Sequence, residues 1–192
     1  MTNIKFEGTL YEINEWLILK LPQDISEQLP TRGLVLATGT LNQSSINFPF
    51  EPDGNGGHFY KLDDTNLDMK TLKAGDPVTV VFSISKEGFE PPLSKDVETM
   101  LLNEGLMAFW ETLTVKARWE WIRWIRSTNN PETRKKRIGV AYSKMNHGSR
   151  RPCCFNTNQC TDTSVAKSGV LDLPKIEISS VLYSNYGAGT TS

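Results

Sequence analysis

The spacing of apolar residues changes once along this chain, at Glu90-Pro91-Pro92, and this change limits the possible folds most strongly. Before it, apolar residues alternate with polar ones, as at Ile4, Phe6 and Leu10, or form short runs such as Val78–Ser85. Alternation of period two indicates strands, and several short strands joined by polar turns predict a small barrel or a sandwich. After it, apolar residues recur every three or four positions, which indicates helices. The sequence therefore predicts an α+β protein with a β domain over residues 1–92 and a helical domain over residues 93–148.

The ends of the predicted helices have recognisable signals. Ser94 is a candidate N-cap, and Asn130 followed by Pro131 is a strong helix start. Gly148 is a candidate C′ residue that ends the last helix. Beyond it the periodicity is lost, so residues 149–192 are predicted to form a loosely ordered tail that contains three cysteines. A further short helix is predicted over residues 66–74.

Length and composition predict a cytoplasmic protein. The chain of 192 residues has no apolar run approaching the roughly 20 residues that span a bilayer. Its first residues lack the basic and apolar regions of a secretory signal. Its three cysteines are clustered and odd in number, which does not fit a disulfide framework.

The net charge of −1 conceals two oppositely charged segments. Residues 1–115 hold 8 Lys and Arg against 17 Asp and Glu, a net charge of −9, whereas residues 116–151 hold 11 against 2, a net charge of +9. The basic segment contains the candidate binding residues, which are Arg123, Arg126, Arg134 and Arg137, with Lys135 and Lys136 beside them. They could bind an acidic protein, a nucleic acid or a phosphorylated ligand, since the arginine side chain donates two parallel bonds to an oxyanion. They could equally form a solvated face that pairs with the acidic β domain.

Other residue clusters give weaker indications of function. The aromatic residues Phe109, Trp110, Trp119, Trp121 and Trp124 could stack on bases, but the helical spacing of Trp119, Ile122 and Ile125 favours a buried core. The glycine-rich segment 54–57 lies between strands, where a hairpin turn is expected rather than a phosphate loop. His147 and the cysteines, Cys153, Cys154 and Cys160, lack the spacing of a zinc site, so no metal or cofactor is expected. No nucleophile–base motif is recognisable, and we do not expect catalysis.

Several motifs resemble those of the YdeI/OmpD-associated, or bacteriocin-protection, family. They are Phe6-x-Gly8-x-Leu10, Gly39-Thr40-Leu41-Asn42, Gly75-Asp76-Pro77-Val78, Glu90-Pro91-Pro92-Leu93, Trp121-Ile122, and Glu132-Thr133-Arg134 with Arg137-Ile138. The resemblance extends from Ile4 to Gly148. This chain departs from the family pattern at Ser127-Thr128, where an Ala-Lys pair is usual.

The resemblance implies a small split β-barrel of the AbrB-like kind as the first domain, followed by the helical domain. It also implies a role in protection against bacteriocins or envelope stress, without naming catalytic residues. Together with the composition, it predicts a non-enzymatic cytoplasmic binding protein whose partner is unknown. Nucleic-acid binding by the barrel and the basic helices, and an enzyme that uses the cleft between barrel and helices, remain alternatives.

Overall fold

The computed structural model describes residues 3–62 and 71–174. The predicted helix over residues 66–74 lies largely outside this range. The strands of the first domain are β1 (Ile4–Ile13), β2 (Trp16–Lys20), β3 (Val35–Leu41), β4 (Ser44–Pro52), β5 (His58–Lys61) and β6 (Pro77–Ile84), and helix α1 (Gln23–Glu27) follows β2.

These strands form a closed antiparallel barrel with the order β1-β2-β5-β4-β3-β6. Closure comes from the pairing of β6 with β1, in which Phe6 lies opposite Val80. The alternation in the sequence places one side of each strand inside, where Phe48, Phe50 and Phe82 are fully buried. The β-barrel that the family resemblance implied is therefore confirmed. Of the two architectures that the strand pattern alone allowed, a barrel and a sandwich, the protein has the barrel.

Local sequence explains the tight connections of the barrel. The hairpins β1–β2 and β3–β4 turn at Asn14-Glu15 and Asn42-Gln43, and all four residues have positive φ angles. Consecutive positive φ angles match the twist of hairpin strands, and asparagine tolerates them well. Gly39 allows β3 to approach β6, since a Cβ atom there would lie 2.0 Å from the Val81 carbonyl oxygen.

The second domain contains helices α2 (Lys95–Asn103), α3 (Met107–Thr112), α4 (Val115–Arg126) and α5 (Pro131–Asn146). Their apolar faces enclose a core that includes Leu101, Trp121 and Met145. The Asn130 side chain accepts a hydrogen bond from the Thr133 amide, as the predicted cap requires. Ser94 occupies the N-cap position of α2 without capping it; its hydroxyl donates to Asp96 and accepts from Arg134. Among the described residues, no helix combines the length and the apolarity needed to cross a membrane.

Residues 149–174 contain little regular structure, in line with their lack of periodicity, but they are packed against the rest of the molecule. Their only regular elements are the two-residue strands β7 (Ala166–Lys167) and β8 (Val170–Leu171). Cys160, Val165 and Leu171 join Ile18 and Phe59 of the barrel in a third, smaller apolar cluster. This segment of the predicted tail therefore covers the outside of strands β2 and β5.

Candidate functional site

The four candidate arginines do not converge on one site. Arg123 and Arg126, one helical turn apart in α4, both reach Glu51 at the end of strand β4. Arg134 and Arg137, in α5, have other partners. The basic residues therefore divide into a pair at the contact between the domains and two that stay within the helical domain.

Arg123 is fully buried. Its Nη1 and Nη2 atoms donate to the carbonyl oxygens of Thr157 and Gln159, at 3.1 and 2.9 Å. Its Nε lies 3.4 Å from Glu51 Oε2, and its guanidinium lies over the Phe155 ring at 5.5 Å. Burial lowers the pKa of Arg123, because removal from water disfavours the charged form, and the Glu51 carboxylate opposes this. Arg123 thus joins the helices, the barrel and the C-terminal segment.

Arg126 shares the same carboxylate but is partly open to solvent. Its Nη2 donates to Glu51 Oε2 and, at 3.1 Å, to Thr161 Oγ1, while its Nε donates to the same hydroxyl at 3.3 Å. Burial acts to lower the pKa of Arg126, but the Glu51 carboxylate outweighs burial and the pKa is raised. A quarter of the side chain is exposed (25%). Its Nη1 forms no hydrogen bond to any described residue, so this atom is an open donor.

Arg134 and Arg137 make contacts that stabilise the helices. Arg134 forms a two-bond pair with Asp96 of α2, at 2.7 and 2.9 Å, and also donates to Ser94. Hydrogen bonds from Arg134 hold the pKa of Asp96 well below its ordinary value. Arg137 donates to the carbonyl oxygen of Trp124 at the end of α4 and lies over its ring. Both arginines therefore already hold internal acceptors.

A cleft lies where the barrel, the linker before α2, helix α4 and the C-terminal segment meet. Its volume is about 480 Å³. Aromatic side chains from three of these parts line it, namely Trp16 and Tyr60 of the barrel, Phe89 of the linker, and Trp119 of α4. Trp119 donates its Nε1–H to the Phe89 carbonyl at 2.8 Å and packs edge-on against the Phe89 ring. Such hydrogen bonding fixes the aromatic wall in one orientation.

Charged groups surround this aromatic wall. Glu51 and Arg126 line the cleft, and so do Lys61 and Asp162, which form an ion pair of 2.6 Å. Glu90 also lines the cleft and is paired with Arg118 at 2.6 Å. The Lys61 ammonium also lies 3.9 Å from the centre of the Trp16 ring. Burial acts to raise the pKa of Asp162, but hydrogen bonds from Lys61 and Ser164 prevail, so the pKa is lowered and the carboxylate remains ionised.

The other predicted clusters lie elsewhere. Gly54 and Gly56 have positive φ angles in the β4–β5 connection, so the hairpin-turn interpretation is confirmed. Trp119, Ile122 and Ile125 are all buried. Ile122 and Ile125 lie in the predicted helical core, whereas Trp119 packs against Phe89 and lines the cleft. Within the described residues, no three His, Cys, Asp or Glu side chains are grouped as a metal site. His147 contacts the Ser143 carbonyl oxygen.

Sequence reasoning found Arg126 but missed most of the cleft. Glu51 has no predicted role in the sequence, and Asp162 lies in the predicted loosely ordered tail. Trp16 and Tyr60 look like ordinary barrel residues in the sequence. One signal was present, because Glu51 directly follows the apolar residues of Phe48-Pro49-Phe50, where an ionised side chain requires a partner.

The fold is that of a two-domain protein in which a closed β-barrel precedes a helical domain, with a cleft between them. Comparison with known families identifies both parts. Residues 91–148 match the model described as bacteriocin-protection, YdeI or OmpD-associated, and residues 5–82 match a domain of unknown function, DUF1905. Residues 91–148 therefore match the YdeI/OmpD-associated family model, as the motifs predicted. No curated protein matches the chain.

Proposed function

We propose that this protein is a non-enzymatic binding protein whose ligand site is the cleft between the barrel and the helices. The observation that carries the proposal is the cleft itself, with a volume of about 480 Å³ and aromatic walls from both domains. Small-molecule sites typically enclose about 300–1,000 Å³, often lie between domains, and combine aromatic walls with a few polar groups.

The state of the carboxylates in the cleft supports binding rather than acid–base catalysis. Glu51 is paired with two arginines, Asp162 with Lys61, and Glu90 with Arg118. A general acid at neutral pH requires a carboxyl group with a raised pKa. The pKa of Asp162 is instead lowered, and both histidines of the chain lie outside the lining of the cleft.

The same contacts favour a small ligand over the nucleic-acid alternative. A nucleic acid requires several basic groups that are free to pair with phosphates. In the basic segment, Arg118, Arg123, Arg126 and Arg134 already pair with carboxylates. The basic segment should therefore attract phosphate groups less strongly than its net charge in the sequence indicates.

We place this binding in the cytoplasm and connect it with the protective role in the family's description. The adjacent thiols of Cys153 and Cys154 are free and exposed, and such thiols persist in a reducing compartment. Capture of a small molecule in the cleft is a mechanism by which a binding protein of this kind contributes to stress resistance.

Blocking the cleft tests the proposal. Asn47 lines the cleft from β4 and is exposed, so Asn47→Trp should fill it while retaining every charged group. Ser45 is exposed and lies two residues earlier on the same strand, outside the cleft lining, so Ser45→Trp is the matched control. Aromatic fragments would be screened against each protein by saturation-transfer NMR. We expect fragments that bind the wild type and Ser45→Trp but not Asn47→Trp. Equal binding to all three proteins, or no binding to the wild type, would contradict the proposal.

A further inference from the structure

The charges around the cleft do not balance, and this imbalance indicates which ligands it accepts. Arg123 and Arg126 share a single carboxylate, that of Glu51, and both contact the same oxygen, Oε2. Lys61 pairs with Asp162, and Glu90, which also lines the cleft, pairs with Arg118. Among the described residues, these pairs therefore contain four cations and three carboxylates, and the surplus positive charge lies where Arg123 is fully buried and Arg126 is a quarter exposed (25%).

An uncompensated charge of this kind is unfavourable, because burial removes most of the water that would solvate it. The carbonyl oxygens of Thr157 and Gln159 solvate the Arg123 guanidinium, but they carry no net charge. An anion beside Arg126 would complete the balance, since it would make two anionic groups for two guanidinium groups.

Arg126 has both the geometry and the access to hold such an anion. Its Nε and Nη2 atoms are occupied by Thr161 and Glu51, which fix the plane of the guanidinium. Its Nη1 atom is left as an open donor on a side chain that lines the cleft. A guanidinium that is fixed in this way loses little entropy when it binds an oxyanion.

The rest of the cleft determines the body of the ligand. Trp16, Tyr60, Phe89 and Trp119 make much of the lining aromatic, which favours an aromatic ligand, and the volume of about 480 Å³ admits a small molecule. From these observations we propose that the cleft selects aromatic oxyanions, with the ring against the aromatic wall and the carboxylate or phosphate at Arg126. This inference rests on the proposed binding function and adds the chemical class of its ligand.

Matched naphthalene probes test the charge preference. The affinities of 2-naphthoate, 2-naphthyl phosphate and the neutral 2-naphthamide would be measured by isothermal titration at low ionic strength. We expect at least one anion to bind about tenfold or more tightly than the amide, and this preference should decrease with added salt. Comparison of the two anions distinguishes a carboxylate site from a phosphate site. An amide that binds as tightly as both anions would overturn the inference.

Substitutions test whether Arg126 causes the preference for anions over the neutral amide. Arg126→Gln should remove it, whereas Lys135→Gln, which removes the same charge from an exposed position on α5, should leave it intact. Arg126→Lys keeps the charge beside Glu51 and so protects the fold, but it loses the planar donor group. It should weaken anion binding several-fold and leave amide binding unchanged. Equal effects of Arg126→Gln and Lys135→Gln would refute the assignment.

Failure of the inference can be distinguished from failure of the proposed function. If the cleft binds ligands without regard to charge, naphthamide binding will still disappear in Asn47→Trp. If the cleft is not a ligand site, no probe will respond to Asn47→Trp, and both proposals fail together.

Discussion

Glu51 is the residue whose loss should disturb the structure most, because two arginines depend on it. Its side chain is 10% exposed, that of Arg123 is fully buried, and that of Arg126 is 25% exposed. Glu51→Gln keeps the shape but leaves both guanidinium groups without a carboxylate. Removal of one partner from a buried ion pair typically costs about 3–5 kcal/mol, a large part of the roughly 5–15 kcal/mol that stabilises a folded domain.

Urea denaturation would measure this cost. With an m-value of about 2–3 kcal/mol/M, the loss should lower the midpoint by roughly 1–2 M. Far-UV circular dichroism and tryptophan fluorescence should both be followed, because Glu51 connects the barrel to the helical domain. Glu90→Gln is the matched control, since the Glu90 side chain is 56% exposed in its pair with Arg118 and should contribute less than about 1 kcal/mol. Equal midpoints for the two variants would refute the reasoning.

Three further outcomes follow from contacts described above. Gly39→Ala should destabilise the barrel by about 1–3 kcal/mol, because the added Cβ would meet backbone atoms of β6. Gly139→Ala in α5 places its Cβ in open space and should stabilise the helix by about 0.5–1 kcal/mol. Thermal melts that rank the two variants the other way would contradict this. The pKa of Asp96 is lowered from 3.8, so its pair with Arg134 stabilises the fold above about pH 4 and loses this effect as the pH falls further. The difference in unfolding free energy between wild type and Arg134→Ala should therefore shrink in acid. A difference that does not change with pH would be inconsistent with the pair. Cys160 is buried, and burial raises its pKa to about 12. Ellman's reagent at neutral pH should therefore modify Cys153 and Cys154 in the native protein and Cys160 only after unfolding. Three rapidly reacting thiols would show that Cys160 is accessible.

The order and the type of the elements could be predicted from the sequence because they depend on local information. Period-two alternation located the strands of the barrel, and the Asn130-Pro131 start located helix α5 within a residue. The closure of the barrel was available only through the family resemblance. Closure depends on the pairing of β1 with β6, two strands that are distant in the sequence.

The candidate site was predicted less completely because it is built from long-range pairs. Arg126 and Glu51 are 75 residues apart, and no local pattern connects them. The uneven charge distribution left open whether the basic helices pair with the acidic barrel or with another partner, and Arg123 and Arg126 pair with the barrel at Glu51. Arg134 looked equivalent to Arg126 in the sequence, but its carboxylate partner, Asp96, lies within the same domain.

The segment after Gly148 has a consequence for the order in which the protein assembles. During synthesis the barrel and all four helices of the second domain leave the ribosome before Thr157 and Gln159, whose carbonyl oxygens receive Arg123. Until then Arg123 lacks two of its acceptors, and the barrel surface around Ile18 and Phe59 lacks its cover. Asp162, the lining residue of the cleft that comes last in the sequence, leaves the ribosome later still. The unit that folds cooperatively is therefore longer than the two family domains together, and a chain that stops at residue 148 should be trapped as an incomplete, aggregation-prone intermediate.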